Sequence, residues 1–159
     1  MAGAAPRVVL DTQIVIRGLI RRRESAAVDL FDLALEGLRV VGVTSPLLLQ
    51  ESERVLKLPD IRTMASPRLD DDLIERAVRY IRERFSVVPG AFSEVDKVPD
   101  DAKDNPVIEA ALEGEAEAVV SDDEDLLSLK VVKVLGFRPV QIYAPGPFLK
   151  YVLGRRAVR

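Results

Sequence analysis

Residues 118–129 read AVVSDDEDLLSL, an apolar run that leads straight into four consecutive carboxylates, Asp122, Asp123, Glu124 and Asp125. Carboxylates this close repel one another unless a cation offsets them or a helix start absorbs them. Ser121 and Glu124 have the spacing of a capping box, with serine at the helix N-cap and glutamate three residues on. Asp122 suits the positive end of a helix dipole. Asp123 and Asp125 are left without a structural role. Three further acids stand in suggestive places. Asp11 ends the apolar run Arg7-Val8-Val9-Leu10, where it either caps the next helix or does chemistry. Glu51 falls in the middle of the stripe Leu47, Leu48, Val55 and Leu58, where a carboxylate is costly unless it is paired or binds a metal. Asp104 precedes Asn105-Pro106; Asn105 is the natural N-cap there, so the cap does not need Asp104.

The absences narrow the chemistry. The chain has no cysteine and no histidine. That removes a thiol nucleophile, a disulfide framework, a histidine base and the ligands zinc prefers. A hydrolase built from this alphabet relies on Asp, Glu, Lys, Ser, Thr and Tyr, or on a hard cation held by oxygen. A converging set of carboxylates then reads as a Mg²⁺ or Mn²⁺ site. Aromatics make up 5% of the chain, too few for base stacking to dominate a nucleic-acid contact, and the net charge of −3 is not that of a DNA-coating protein. A local basic rim is still compatible with it.

These acids need elements to carry them. The 159 residues suit one domain, 1–159, large enough to fold on its own core. Apolar runs and caps predict strands over 7–10, 38–43, 86–88, 117–121, 131–135 and 140–143. They predict helices over 13–20, 26–36 (Ser25 as N-cap, Gly37 at the C-terminal end), 46–57, 71–84, 105–114, 122–129 and 147–153. Residues 60–68 read as a loop or short turn, and 92–103 as a polar connection. Strands alternating with helices argue for an α/β fold, a mostly parallel sheet with helices on both faces, in which sites form beyond the carboxyl ends of the strands. Asp11 and the 122–125 run both lie there. The first residues lack the layout of a secretory leader and no apolar run spans a bilayer, so a cytoplasmic location and no membrane partner are expected.

Four stretches in order, Val8-Val9-Leu10-Asp11-Thr12, Gln50-Glu51, Asp101-Ala102-Lys103-Asp104-Asn105 and Val120-Ser121-Asp122-Asp123-Glu124-Asp125-Leu126-Leu127, resemble the PIN domain family. The branch they are most similar to comprises the VapC-like toxins of toxin–antitoxin pairs. The resemblance covers nearly the whole chain, and Pro145 to Leu149 fits the family's closing helix. It implies a three-layer PIN-like fold and a metal-dependent endoribonuclease. The family's acids carry over onto Asp11, Glu51, Asp104 and Asp123, with Asp125 as a supporting fifth; Asp11, Asp104, Asp123 and Asp125 are the implied ligands of Mg²⁺ or Mn²⁺. Thr12 and Ser121 match the small hydroxyl positions beside the acids.

In the implied mechanism the cation polarises the scissile phosphate, and Glu51 ligates or orients the attacking water. Arg17, Arg21, Arg22, Arg23 and Lys103 are close in sequence to the acids and are candidates to hold flanking RNA phosphates, or else form a solvated basic face. The implied partners are RNA, a small antitoxin protein and further copies of the chain as a homodimer or higher homo-oligomer. Two positions depart from the family pattern: Gln13 stands where Asn is usual, and Asp122 where Gly is usual. They support an alternative, a catalytically weak or inactive PIN-fold binding module in an RNA-processing complex. A receiver or phosphatase is disfavoured, because the first strand ends in a single acid.

Overall fold

The structure is a computed structural model that describes residues 3–65, 67–90 and 105–155. Among these residues six strands form one sheet in the order β3-β2-β1-β4-β6-β5: β1 (Arg7–Leu10), β2 (Val41–Thr44), β3 (Ser86–Val87), β4 (Ala118–Val120), β5 (Val131–Val132) and β6 (Val140–Tyr143). All pairs are parallel except β5 with β6. The helices are α1 (Thr12–Ile20), α2 (Ala26–Glu36), α3 (Pro46–Leu56), α4 (Pro59–Met64), α5 (Asp71–Arg84), α6 (Asn105–Glu113), α7 (Glu124–Leu129) and α8 (Pro145–Gly154). The mostly parallel α/β sheet expected from the sequence is present, flanked by helices.

Parallel strands buried on both faces need apolar residues throughout, and β1 and β4 meet that requirement. Val8, Leu10, Ala118 and Val120 point into a core shared with α1, α2, α3, α5 and α8. Val9 and Val119 point the other way, into a core built with α6 and the Leu126 side of α7. The ends of the helices follow the local signals. Ser25 Oγ accepts from the Val28 N–H and Gly37 takes the left-handed conformation after α2; Ser45 and Asp70 cap α3 and α5.

Three expectations need correction. Residues 60–68 are not simply a turn, because Pro59 starts a short helix, α4, that runs to Met64. Proline at the first helical position brings a preset φ and no N–H to satisfy. The 122–129 helix begins later, at Glu124, with Asp123 as its N-cap, and the Ser121–Glu124 capping box does not form. Ser121 is still held by the sheet: its N–H donates to the Tyr143 carbonyl at 2.9 Å. The core face of α3 is Leu48, Leu49, Ser52 and Leu56, whereas Leu47 and Leu58 are 53% and 43% exposed. The helix carries two overlapping apolar stripes, and the core took the one without Glu51. The expected polar connection, 92–103, lies outside the described residues.

The element that presents Asp11 is pressed against its neighbour at one point. Gly18 of α1 lies so near Phe31 of α2 that a Cβ there would sit 2.2 Å from Phe31 Cγ. Phe31 is itself backed by Phe85, ring centroids 6.3 Å apart, so it has little room to yield. Gly18→Ala is therefore expected to lower stability by about 1–3 kcal/mol despite alanine's better helix propensity. Urea unfolding of the two proteins checks this, and an unchanged or raised midpoint would contradict the packing described.

Candidate active site

The parallel ladder between β1 and β4 sets the geometry. Leu10 is in register with Val120, and the pairing extends one step further, with the Asp11 N–H donating to the Val120 carbonyl at 2.9 Å. Asp11 and Ser121 are thus side by side at the carboxyl end of the sheet. Ser121 is fully buried. Its hydroxyl donates to Asp11 Oδ2 at 2.6 Å and accepts from the Asp123 N–H at 2.9 Å. One serine oxygen therefore ties the first acid to the backbone of the fourth. Asp11 also caps α1, its Oδ1 accepting from the Thr12 N–H at 2.8 Å. Both readings of Asp11 are compatible, since the capping bonds fix the carboxylate and leave it acceptor capacity.

Asp11, Thr12 and Asp123 line a cleft of about 1330 Å³, with Glu51 and Arg54 of α3. Ile16 and Ile20 of α1, Leu47, Val55 and Met64 give it an apolar lining, and Arg22, Arg23 and Lys57 line it too. Burial pushes the Asp11 carboxyl above its ordinary value. The hydrogen bonds from Ser121 and Thr12 oppose that rise, and the charges of Asp123 and Asp122 add to it. Glu51 moves the other way: the Arg54 guanidinium, hydrogen-bonded to it, holds its carboxyl below the usual range, against a smaller effect of burial.

The candidate residues divide. Asp11, Thr12, Glu51, Asp123 and Arg22 line one cleft, as does Arg17. Ser121 sits beneath the acids. Asp125 is exposed in the first turn of α7, its N–H donating to Asp123 Oδ1 at 2.8 Å, and is not among the cleft-lining residues. Arg17 pairs with Asp122, and Arg21, also outside the lining, pairs with Asp32. Asp104 and Lys103 lie outside the described residues; in sequence Asp104 is two positions before Pro106, which lines the cleft. Glu51 reaches the cleft on the stripe of α3 that the core left free. Arg54, a charge off the Leu47–Leu58 stripe, lines the cleft beside it. The signal for it was opposite charge at a spacing of three on a helix.

Among the described residues no group of three acids is close enough to hold a metal ion. The donor set at the strand ends is nonetheless oxygen only, and among the described residues no basic side chain pairs with Asp11 or Asp123. Unbalanced carboxylates of this kind fit a hard cation.

The profile of the PIN domain family matches residues 7–125 of this chain. No curated protein matches the sequence. Among solved structures, a chain in the crystal structure of VapBC2 from Rickettsia felis bound to a DNA fragment from their promoter is similar, with a TM-score of 0.52 and 9% identity. The match covers 86% of this chain and 98% of that one, and the likeness is one of fold.

The raised Asp11 carboxyl carries a stability consequence. Its folded value lies above the ordinary 3.8, so ionised Asp11 costs stability at neutral pH. That cost fades as pH falls through the raised value and is gone below the unfolded one. Asparagine removes the charge and keeps one of the two accepted hydrogen bonds. In EDTA, the stability of Asp11→Asn relative to the parent is therefore expected to be highest near neutral pH and to decline as pH falls toward the ordinary carboxylate range. Denaturant unfolding across pH checks this; a difference that stays constant with pH, or that grows as pH falls, would contradict it.

Proposed function

This chain belongs to the PIN domain family, and from that premise we propose that it is a Mg²⁺- or Mn²⁺-dependent endoribonuclease acting as the toxin of a toxin–antitoxin pair. The observation that carries the nuclease reading is the junction at the sheet end, where the Ser121 hydroxyl joins Asp11 to the Asp123 backbone and, among the described residues, no basic side chain balances the acids. Asp11 and Asp123, with Asp104, are the residues that would hold the cation. When bound, it would supply Lewis-acid stabilisation of the charge that develops on a scissile phosphodiester.

The rest falls to the chain's own groups. Thr12 and Ser121 orient Asp11 from two sides, so its lone pairs are fixed before any ligand arrives. Arg22 and Arg23 on the cleft lining offer positive charge to flanking phosphates of a single strand. Arg21 and Arg17, held by Asp32 and Asp122, and Lys103 are second-rank candidates for the same role. Glu51 orients the attacking water. Because Asp122 faces Arg17, the extra carboxylate where the family has glycine is offset locally and does not crowd the phosphate. In this reading the chain acts as one domain, 1–159, in the cytoplasm, restrained by a small antitoxin and assembled as a homodimer or larger homo-oligomer. Among the described residues no helix is long and apolar enough to cross a membrane.

Purified protein incubated with unstructured RNA in Mn²⁺, Mg²⁺ or EDTA tests the reading. Cleavage with either metal and none in EDTA is expected. Asp11→Asn, Asp104→Asn and Asp123→Asn are expected to lose at least about 100-fold, and Ser121→Ala, which unties the supporting hydroxyl, about 10–100-fold. Folded protein that cuts no RNA with either metal would favour the non-catalytic binding module. Cleavage that survives both Asp11→Asn and Asp123→Asn would move the site elsewhere.

A further inference from the structure

Glu51 and Arg54 stand one turn apart on α3 and both line the cleft that holds Asp11 and Asp123. One edge of the Arg54 guanidinium takes both oxygens of Glu51: Nε donates to Oε2 at 3.1 Å and a terminal nitrogen donates to Oε1 at 2.8 Å. The fork satisfies each group with the other. Each Glu51 oxygen is engaged by Arg54, and Arg54 has committed an edge suited to gripping a phosphate. Both side chains are well exposed, 62% for Arg54 and 44% for Glu51, so water screens the pair and either partner can be drawn off at little cost. Glu53 and Lys57 form a looser pair on the same helix, 3.7 Å apart, without such a fork.

We propose that Arg54 is a positioning residue that holds Glu51 in reserve until cation and RNA arrive together, the cation drawing Glu51 toward Asp11 and Asp123 while an RNA phosphate takes Arg54. The inference rests on the nuclease reading and deepens it. It makes cation binding and polyanion binding mutually reinforcing, because each ligand removes the partner that blocks the other's site. By linkage the effect must be equal in both directions.

The test uses full-length wild type, Arg54→Gln, Arg54→Lys, Glu51→Gln and Glu53→Gln, with Mn²⁺ affinity read from the EPR signal of the free ion. Each is titrated with and without a short single-stranded oligodeoxynucleotide. In wild type the oligonucleotide is expected to tighten Mn²⁺ binding about two- to fivefold, the range an exposed forked pair can supply. Arg54→Gln should bind Mn²⁺ tighter by a similar factor without oligonucleotide and lose the coupling. Arg54→Lys keeps the charge but not the planar fork, and should behave like Arg54→Gln. Glu51→Gln should bind the oligonucleotide more tightly in EDTA, again without coupling. Glu53→Gln should keep the wild-type coupling.

Wild-type coupling in Arg54→Lys would mean that Arg54 acts only as a distant charge, and would overturn the proposal. So would Mn²⁺ binding that is unchanged in Arg54→Gln, and in both cases the nuclease reading would stand. No Mn²⁺ binding by folded wild type would overturn both.

Discussion

One pairing decides where the chemistry can be. The parallel ladder of β1 with β4 runs on past Leu10 and Val120 to the bond from the Asp11 N–H to the Val120 carbonyl. Residues far apart in sequence are thereby fixed as neighbours, Asp11 after one strand and Ser121 after the other. A slip of one residue would turn every β1 side chain to the opposite core, and the alternation of Val8, Val9 and Leu10 between the two cores forbids it. The apolar packing of the sheet therefore sets the position of the carboxylates, and the Ser121 hydroxyl completes the join.

Charge balance around the cleft is uneven. Asp122 is met by Arg17, Glu51 by Arg54 and Asp32 by Arg21. Asp11 and Asp123 have no basic partner among the described residues, and Asp11 carries the cost of partial burial as well. A fold optimised only for stability would not keep a half-buried acid beside two others. Among the described residues the unbalanced charge is thus concentrated at the junction of Asp11 and Asp123, while Asp122, Glu51 and Asp32 each meet an arginine.

Much of this was legible in the sequence. The β1 and β4 runs, the helix ends at Ser25 and Gly37, and the placing of Asp11 at a strand end follow from local patterns, and the structure has them. What failed did so where two local rules competed. Ser121 has the spacing of a helix cap, yet its backbone N–H is taken by the neighbouring strand, so Asp123 caps instead. The Leu47–Leu58 stripe on α3 has good helical period, but period does not tell a core from a cleft. The stripe bearing Leu48, Leu49, Ser52 and Leu56 packs inward, and the one bearing Glu51 lines the cleft. Nothing in the apolar period points to Arg54 either, because that period marks the core and not the cleft. Asp104 and Lys103 lie outside the described residues, and their place rests on sequence alone.

In the proposed site, Asp11, Ser121 and Asp123 form the edge that holds the cation. Backbone amide NMR of the metal-free protein during addition of substoichiometric Mn²⁺ locates that ion, because it broadens only the amides near it. Early loss of the Thr12, Asp122 and Asp123 signals is expected, with the exposed acids Asp70 to Asp72 at the start of α5 unaffected. Broadening that begins at Asp70 to Asp72, or that spreads evenly over the surface acids, would contradict it.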